Sequence, residues 1–263
     1  MEVHAHPIAI GSHTERKKWT HYFWEFLMLF LAVFCGFLAE NQREHYIEKL
    51  RAKQYAKSLV NDLKKDTSMI NVIIKQAKGG MRRSEKVLAY FSNKPIEQIK
   101  NFDLFVNEID IYRPYTWNRT TLEQLKNTGS IRYFTNDSII SRLNEYDALS
   151  RHMDLDYTGD VEQLRNITEL RNQLCNQNYP YEFRQAFKEK KTRDSIMKTD
   201  TYSEMVKNGP RLLTSNIHDI NIYANEIITI GSRLQTRSEG ELPELIEIAE
   251  RLIGFLKTEY HLK

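Results

Sequence analysis

Few groups of residues in this chain have the types and spacing that catalysis or metal binding requires. The most suggestive group is His152, Asp154 and Asp156, because imidazole and carboxylate side chains are common metal ligands. On a helix only residues three or four apart share a face, so His152 and Asp156 meet whereas Asp154 points away. We interpret the pair as a surface ion pair, and we expect no bound metal and no cofactor.

The other chemical signatures are weaker. His4 and His6 offer a weak metal-binding pattern, but a solvated tail explains them as well, together with His13. The sequence contains no glycine-rich phosphate loop, nucleophile elbow, HExxH or CxxC motif. Its two cysteines, Cys35 and Cys175, predict neither a metal site nor an intrachain disulfide.

An aromatic loop is the strongest candidate for a binding site. It contains Tyr112, Arg113, Tyr115 and Trp117, and Tyr, Trp and Arg are enriched in binding hot spots. We predict that these residues line a pocket for a ligand or partner. The alternative is that the rings only cap one end of a helical bundle.

The charge balance argues against nucleic acid as a partner. The 38 Lys and Arg residues face 35 Asp and Glu residues, for a net charge of +3, whereas nucleic-acid-binding domains are clearly basic. Acidic residues also interrupt the basic stretch that contains Arg184, Lys188, Lys190, Lys191 and Arg193. We expect this stretch to be solvated, with acidic lipid headgroups as a second possibility.

A membrane anchor is predicted near the N-terminus. Residues 26–39 carry no polar side chain, and extension back to Trp19 gives the length of about 20 residues that a spanning helix needs. Trp19, Tyr22 and Trp24 suit the headgroup level. Bulky residues at Phe37 and Phe34 argue against cleavage as a signal peptide or lipoprotein. We predict a disordered tail at 1–18, a transmembrane helix at 19–39 and a helical domain at 40–263.

The charged flank predicts the orientation. Arg16, Lys17 and Lys18 precede the apolar run, and positive flanks are retained in the cytoplasm. Basic residues after the run alternate with Glu and begin farther away. We therefore expect a single-pass protein of a cell inner membrane, with the N-terminus cytoplasmic and the large domain periplasmic.

Three residues of the anchor are candidates for contact with another membrane helix, from a partner protein or a second copy. Glu25 is the acidic residue of the span, and ionisable residues in spans are often functional. It lies near one end, so a snorkelling carboxylate paired with His21 is the alternative. Ala32 and Gly36 are small residues four apart, which permits close helix approach.

The remaining sequence predicts an all-α fold. Gly (10) and Pro (6) are scarce, and apolar residues recur at three- and four-residue steps from Ala56 onward. We predict that the anchor helix continues to Ala77 and ends at Gly79-Gly80, followed by a short helix at 81–91. Ser238-Glu239-Gly240 predicts a turn. Narrow apolar stripes on several helices predict an antiparallel bundle.

Two segments resemble a family of uncharacterised single-pass membrane proteins from Bacteroidetes-type bacteria. They are the anchor with Gly36-Phe37-Leu38-Ala39-Glu40-Asn41, and residues 121–130 with Thr135-Asn136-Asp137-Ser138. A Glu precedes the apolar run in that family, as Glu25 does here. The resemblance implies an anchored helical protein in a bacterial inner membrane, but no activity.

Two functions remain open. The first is an anchored interaction or sensing module that binds a partner protein or ligand outside the cytoplasm. The second is a membrane-bound enzyme whose site assembles only in the fold. A deep pocket with two carboxylates of opposed pKa shifts would favour the enzyme, and a solid bundle with an exposed apolar patch would favour the module.

Overall fold

The structure is a computed structural model that describes residues 19–113, 116–188 and 192–263. The predicted tail at 1–18, Tyr115 of the aromatic loop, and Lys190 and Lys191 of the basic stretch lie outside the described residues. The chain divides into two compact units, Met1–Ala52 and Lys53–Lys263.

The described part of the first unit is helical. It belongs to helix α1, which is assigned from Trp19 to Asn93. Within the described residues this is the one helix long and apolar enough to cross a membrane, and none of its most apolar 18-residue stretch is buried. The helix predicted at 19–39 is therefore present.

The prediction that Gly79-Gly80 ends this helix is wrong, and residues 81–91 belong to α1 rather than to a second helix. Gly80 is explained by packing instead. A Cβ atom at this position would lie 2.7 Å from Leu234 Cδ1 and 2.9 Å from the carbonyl oxygen of Asp110. A glycine lets both neighbours approach the helix closely.

The second unit contains the rest of α1 and the later helices. Among the described residues no strand occurs, so the all-α prediction is confirmed. The helices after α1 are α2 (Asn101–Val106), α3 (Thr120–Asn127), α4 (Asp137–Leu174), α5 (Asn178–Ala186), α6 (Arg193–Met197), α7 (Asp200–Asn208), α8 (Ile217–Thr236) and α9 (Leu242–Glu259). The Asn136 side chain caps α4 by accepting a hydrogen bond from the Ser138 amide.

The core of the second unit lies between α1, α4 and the α8–α9 pair. Helix α4 is antiparallel to α8–α9, because Leu213 N donates to Leu174 O whereas Asn136 meets Glu259 at the opposite end. Helix α1 runs parallel to α4. Fully buried members of the core come from all of these helices and include Ala56, Ile70, Ala77, Ile139, Ile227, Leu234, Leu245 and Leu252.

The turn predicted at Ser238-Glu239-Gly240 is also wrong. Residues Arg237–Glu241 form one π-helical turn that joins α8 to α9 without a break. Arg237 and Ser238 are buried, because Arg237 forms ion pairs with Asp156 and Asp160 of α4. These tertiary contacts override the local turn preference of Ser and Gly. Single π-helical turns inside α-helices occur frequently at functional sites.

Residues 107–113 and 116–119 belong to a return segment, without regular helix or strand in these described residues, that runs back along α1. Arg83 Nε donates to Glu108 O at 2.9 Å, and Arg113 N donates to Gln76 Oε1 at 2.9 Å. Asn118 N then donates to Asp66 Oδ1 at 3.1 Å. As the segment advances, the residue numbers of its partners on α1 decrease from Arg83 to Asp66. The segment is therefore antiparallel to α1. This return explains how α1 and α4 come to run in the same direction.

A second, smaller core lies beside the main one. Phe102, Val106, Phe183 and Phe187 are its buried members. The ring centroids of Phe102 and Phe183 are 4.9 Å apart in an edge-to-face arrangement, a preferred aromatic geometry. This cluster fixes α2 against α5 and α7.

Candidate functional site

Tyr112 of the aromatic loop points into the bundle. Its side chain is 6% exposed, and its hydroxyl donates to Asp160 Oδ2 at 3.1 Å. Burial raises the pKa of Tyr112, and the negative charge of Asp160 raises it further. The phenol therefore acts as a neutral donor that helps to satisfy a buried carboxyl group.

Asp160 is the most deeply buried ionisable group of this region, with a side chain that is 0% exposed. Burial raises the pKa of Asp160, while Arg237, Tyr112 and Arg233 act in the opposite direction. Arg237 Nε lies 3.5 Å from Asp160 Oδ2, and Arg233 Nη1 lies 3.7 Å from Oδ1. Neither distance corresponds to a short hydrogen bond, so the carboxyl group is incompletely satisfied.

Arg237 links Asp160 to a second group of charges nearer the surface. Its Nη2 lies 3.0 Å from Asp156 Oδ1, and its Nη1 pairs with Glu241 Oε2. His152 Nε2 lies 3.2 Å from Asp156 Oδ2 and 3.9 Å from Glu241 Oε1. The predicted contact between His152 and Asp156 is therefore present. However, it belongs to a network that joins α4 to the π-helical turn, which helix periodicity alone could not reveal.

Trp117 also points inward, with 8% of its surface exposed. Its indole Nε1 donates to Asp154 Oδ1 at 2.7 Å, and Arg119 Nη1 donates to Asp154 Oδ2 at 2.8 Å. Asp154 points away from His152, as predicted. It serves to fasten the return segment to α4.

Tyr112 and Trp117 line the same cavity, so the structure brings these two predicted site residues together. The cavity has a volume of about 60 Å³, and its other lining residues are Ile73, Met153, Asp154, Tyr157 and Leu242. Ligand pockets usually measure roughly 300–1,000 Å³, whereas one water needs only about 10–15 Å³. The cavity therefore has room for a few waters but not for a metabolite.

Arg113 lies elsewhere, at an open groove between α1 and the return segment. The groove has a volume of about 680 Å³ and is lined by Val72, Lys75, Gln76, Gly79, Arg83, Asp110, Ile111 and Arg113. Arg83 is held in its wall through Glu108 O and the Asp110 carboxylate. The aromatic loop thus divides: its two described rings are buried, and Arg113 borders a cationic surface groove.

Two further polar groups of the bundle were missed by sequence reasoning. Asp66 is 1% exposed, accepts from Tyr146 Oη at 2.6 Å, and also binds Asn118. A signal existed, because Asp66 occupies a core position of the apolar stripe between Leu63 and Ile70. A carboxylate in such a stripe predicts a buried, paired group.

Asp147 is the second group that was missed. It forms ion pairs with Lys126 at 2.7 Å and Arg151 at 3.2 Å, and Arg119 lies 3.8 Å away. Burial raises the pKa of Asp147, but hydrogen bonds from Lys126 and Arg151 outweigh burial and lower it overall. This cluster fixes α3 and the return segment to α4.

The residues predicted to contact another membrane helix lie in the first unit. His21 Nε2 is 3.1 Å from Glu25 Oε1, and both side chains are about half exposed. A Cβ added at Gly36 would meet nothing within 4 Å, and Ala32 is exposed one turn earlier. The local pair of His21 and Glu25 is present, and contact of Glu25, Ala32 or Gly36 with another helix stays a prediction.

The contacts of Trp117 and Arg237 fasten the return segment and the π-helical turn to α4. Comparisons of this chain with family models, with curated proteins and with solved structures find no match.

Proposed function

We propose that this protein is a membrane-anchored helical module that binds a partner protein or ligand outside the cytoplasm. One observation carries the proposal. Helix α1 includes an apolar stretch of which no part is buried, and from Ala56 onward the same helix contributes residues to the bundle core. An apolar surface of that length in water is costly, whereas in a bilayer it is favourable.

The interior of the bundle favours a module over an enzyme. The aromatic cavity is too small for a substrate, and the two carboxylates with opposed pKa shifts do not share a pocket. Asp147 has a lowered pKa and Asp160 a raised one, but at ~1.5 Å rise per residue they are separated by about 20 Å along α4. A general acid and a general base must flank one substrate.

The surface groove at Arg113 is the proposed recognition site. It combines the cationic side chains of Lys75, Arg83 and Arg113 with the apolar Val72 and Ile111, a mixture typical of recognition surfaces that contain Arg. A partner with an acidic segment fits this groove best. The residues Glu25, Ala32 and Gly36 are proposed to contact a membrane helix of the same partner or of a second copy.

The proposed setting is a bacterial inner membrane, in keeping with the resemblance to Bacteroidetes-type membrane proteins. The N-terminus would be cytoplasmic and the bundle periplasmic. Carbonate extraction should leave the protein in the membrane pellet, and protease added to spheroplasts should digest the bundle. Release into the supernatant contradicts the anchor, and digestion only after lysis reverses the orientation.

Photo-cross-linking in native membranes tests the recognition site. A photoreactive amino acid at Arg113 should give a discrete cross-linked product with a partner. The same probe at Leu213, which is also exposed but lies away from the groove, serves as the matched control. Equal labelling from both positions, or no product from Arg113, would show that the groove is not the binding site.

A further inference from the structure

We propose that His152, Asp156 and Glu241 bind a divalent transition-metal ion of the zinc or manganese class. Nε2 of His152 and one carboxylate oxygen each of Asp156 and Glu241 all lie within 4.8 Å of one another. Metal–ligand bonds of about 2.1 Å in tetrahedral geometry place donor atoms about 3.4 Å apart. The separations of 3.2 Å (His152 to Asp156) and 3.9 Å (His152 to Glu241) bracket this value.

Arg237 orients the two carboxylates for this role. It binds Asp156 through Oδ1 and Glu241 through Oε2, which leaves Asp156 Oδ2 and Glu241 Oε1 directed towards His152. Hydrogen bonds to the non-ligating oxygen of a carboxylate are the usual means by which proteins fix metal ligands. The π-helical turn supplies both Glu241, a proposed metal ligand, and Arg237, which orients it.

The hydrogen-bonding state of the carboxylates supports a cation at this site. Asp156 Oδ2 is shielded from solvent and lies 3.2 Å from His152 Nε2, but among the described residues it accepts no hydrogen bond, and Oδ1 of the fully buried Asp160 likewise has only Arg233 Nη1 at 3.7 Å. Within the described part of the chain, the three carboxylates of Asp156, Asp160 and Glu241 form ion pairs with two guanidinium groups, those of Arg233 and Arg237, and with the imidazole of His152. Buried carboxylate oxygens are normally satisfied by a donor or a metal. A divalent ion at His152 would satisfy Asp156 Oδ2 and offset the excess negative charge.

The donor set selects the type of metal. One imidazole with two carboxylates suits zinc, manganese and related ions, whereas magnesium and calcium prefer oxygen ligands alone. His152 has a side chain that is 55% exposed, so an ion reaches the site from solvent and retains water at its open coordination positions. The bound ion would join α4 to the π-helical turn, which goes beyond the recognition role proposed above.

Metal titration of the full chain in detergent tests the site. So that the histidines of residues 1–18 do not contribute to the titration, the reference protein carries His4→Ala, His6→Ala and His13→Ala. Calorimetric titration with Zn²⁺ should show one saturable site per chain, and Co²⁺ should give the visible absorption of a coordinated ion. His152→Ala and Glu241→Gln should each lower the affinity at least tenfold.

Matched controls separate ligation from general charge effects. Glu239→Gln alters another carboxylate of the same π-helical turn, and His218→Ala removes an exposed histidine of α8. Both should bind Zn²⁺ like the reference protein, and circular dichroism without metal checks that every variant folds. Absence of saturable binding in the reference protein, unchanged affinity in a folded His152→Ala variant, or equal loss in the controls would each overturn the proposal.

Discussion

The adjacent glycines of α1 give the sharpest test of the packing described here. Gly79→Ala and Gly80→Ala gain the same helix propensity, about 1 kcal/mol each. At Gly79 the new Cβ meets only the end of the flexible Arg83 side chain, at 3.3 Å. At Gly80 it would lie 2.9 Å from a backbone oxygen and 2.7 Å from Leu234 Cδ1, which requires α8 or the return segment to move.

The propensity gain cancels when the two variants are compared, so their difference reports overpacking alone. Overpacking of a core costs about 1–3 kcal/mol. We expect Gly79→Ala to stabilise the protein, and Gly80→Ala to be less stable than Gly79→Ala by that amount. Urea unfolding in detergent, followed by circular dichroism, measures both free energies. Equal stability of the two variants would refute the close approach of Asp110 and Leu234 to α1.

Three further predictions concern the buried polar groups and the start of α1. Tyr112→Phe should lower the free energy of unfolding by about 1–3 kcal/mol, because Asp160 loses its hydrogen-bond donor; an unchanged value would show that the hydroxyl is dispensable. The lowered pKa of Asp147 stabilises the fold above the unfolded-state pKa of about 3.9, and this contribution disappears as pH falls through the folded-state pKa. The stability advantage of wild type over Asp147→Asn in urea titrations should therefore shrink in acid, and a constant advantage would contradict the assignment. Gln42→Gly with Arg43→Gly should speed amide hydrogen exchange at the exposed residues 40–46 without changing unfolding of the bundle. If the cross-link formed from position 113 is unchanged in this double variant, residues 40–46 only tether the bundle to the anchor, and their helical structure is not needed for partner binding.

The elements of this fold were predictable where periodicity and composition agree. The apolar run before Glu40 and the stripe from Ala56 to Ala77 both predict helix, and α1 contains both. The two wrong boundaries, at Gly79-Gly80 and Ser238-Glu239-Gly240, share a cause. Glycine and serine favour turns locally, but here they serve close packing and a buried ion network formed by residues far away in sequence.

The site was predictable only in part. Arg237 looks like an ordinary surface residue in the sequence, and its partners Asp156 and Asp160 become visible only when α4 lies beside it. Tyr112 and Trp117, two of the four residues predicted to form a binding site, line one cavity, and their contact with a ligand or partner stays a prediction. However, no local pattern distinguishes rings that surround a ligand from rings that pack with a few waters. Asp66, by contrast, was identifiable from the sequence as a buried, paired carboxylate, because it occupies a core position in the apolar stripe of α1.

The π-helical turn sets the rotational phase between α8 and α9. In an uninterrupted α-helix, at 3.6 residues per turn, Leu234 and Leu242 would point about 80° apart. A π-helical turn accommodates one extra residue, which brings the two side chains to within about 20° of each other. Both are buried in the same core, so the apolar faces of α8 and α9 meet α4 in register. Conversion of this stretch to regular α-helix at its full length would turn one of these faces about 80° away from the core, whereas deletion of Gly240 would restore a regular helix and keep both faces in register, so the π-helical turn compensates for one residue more than the α-helical phase allows.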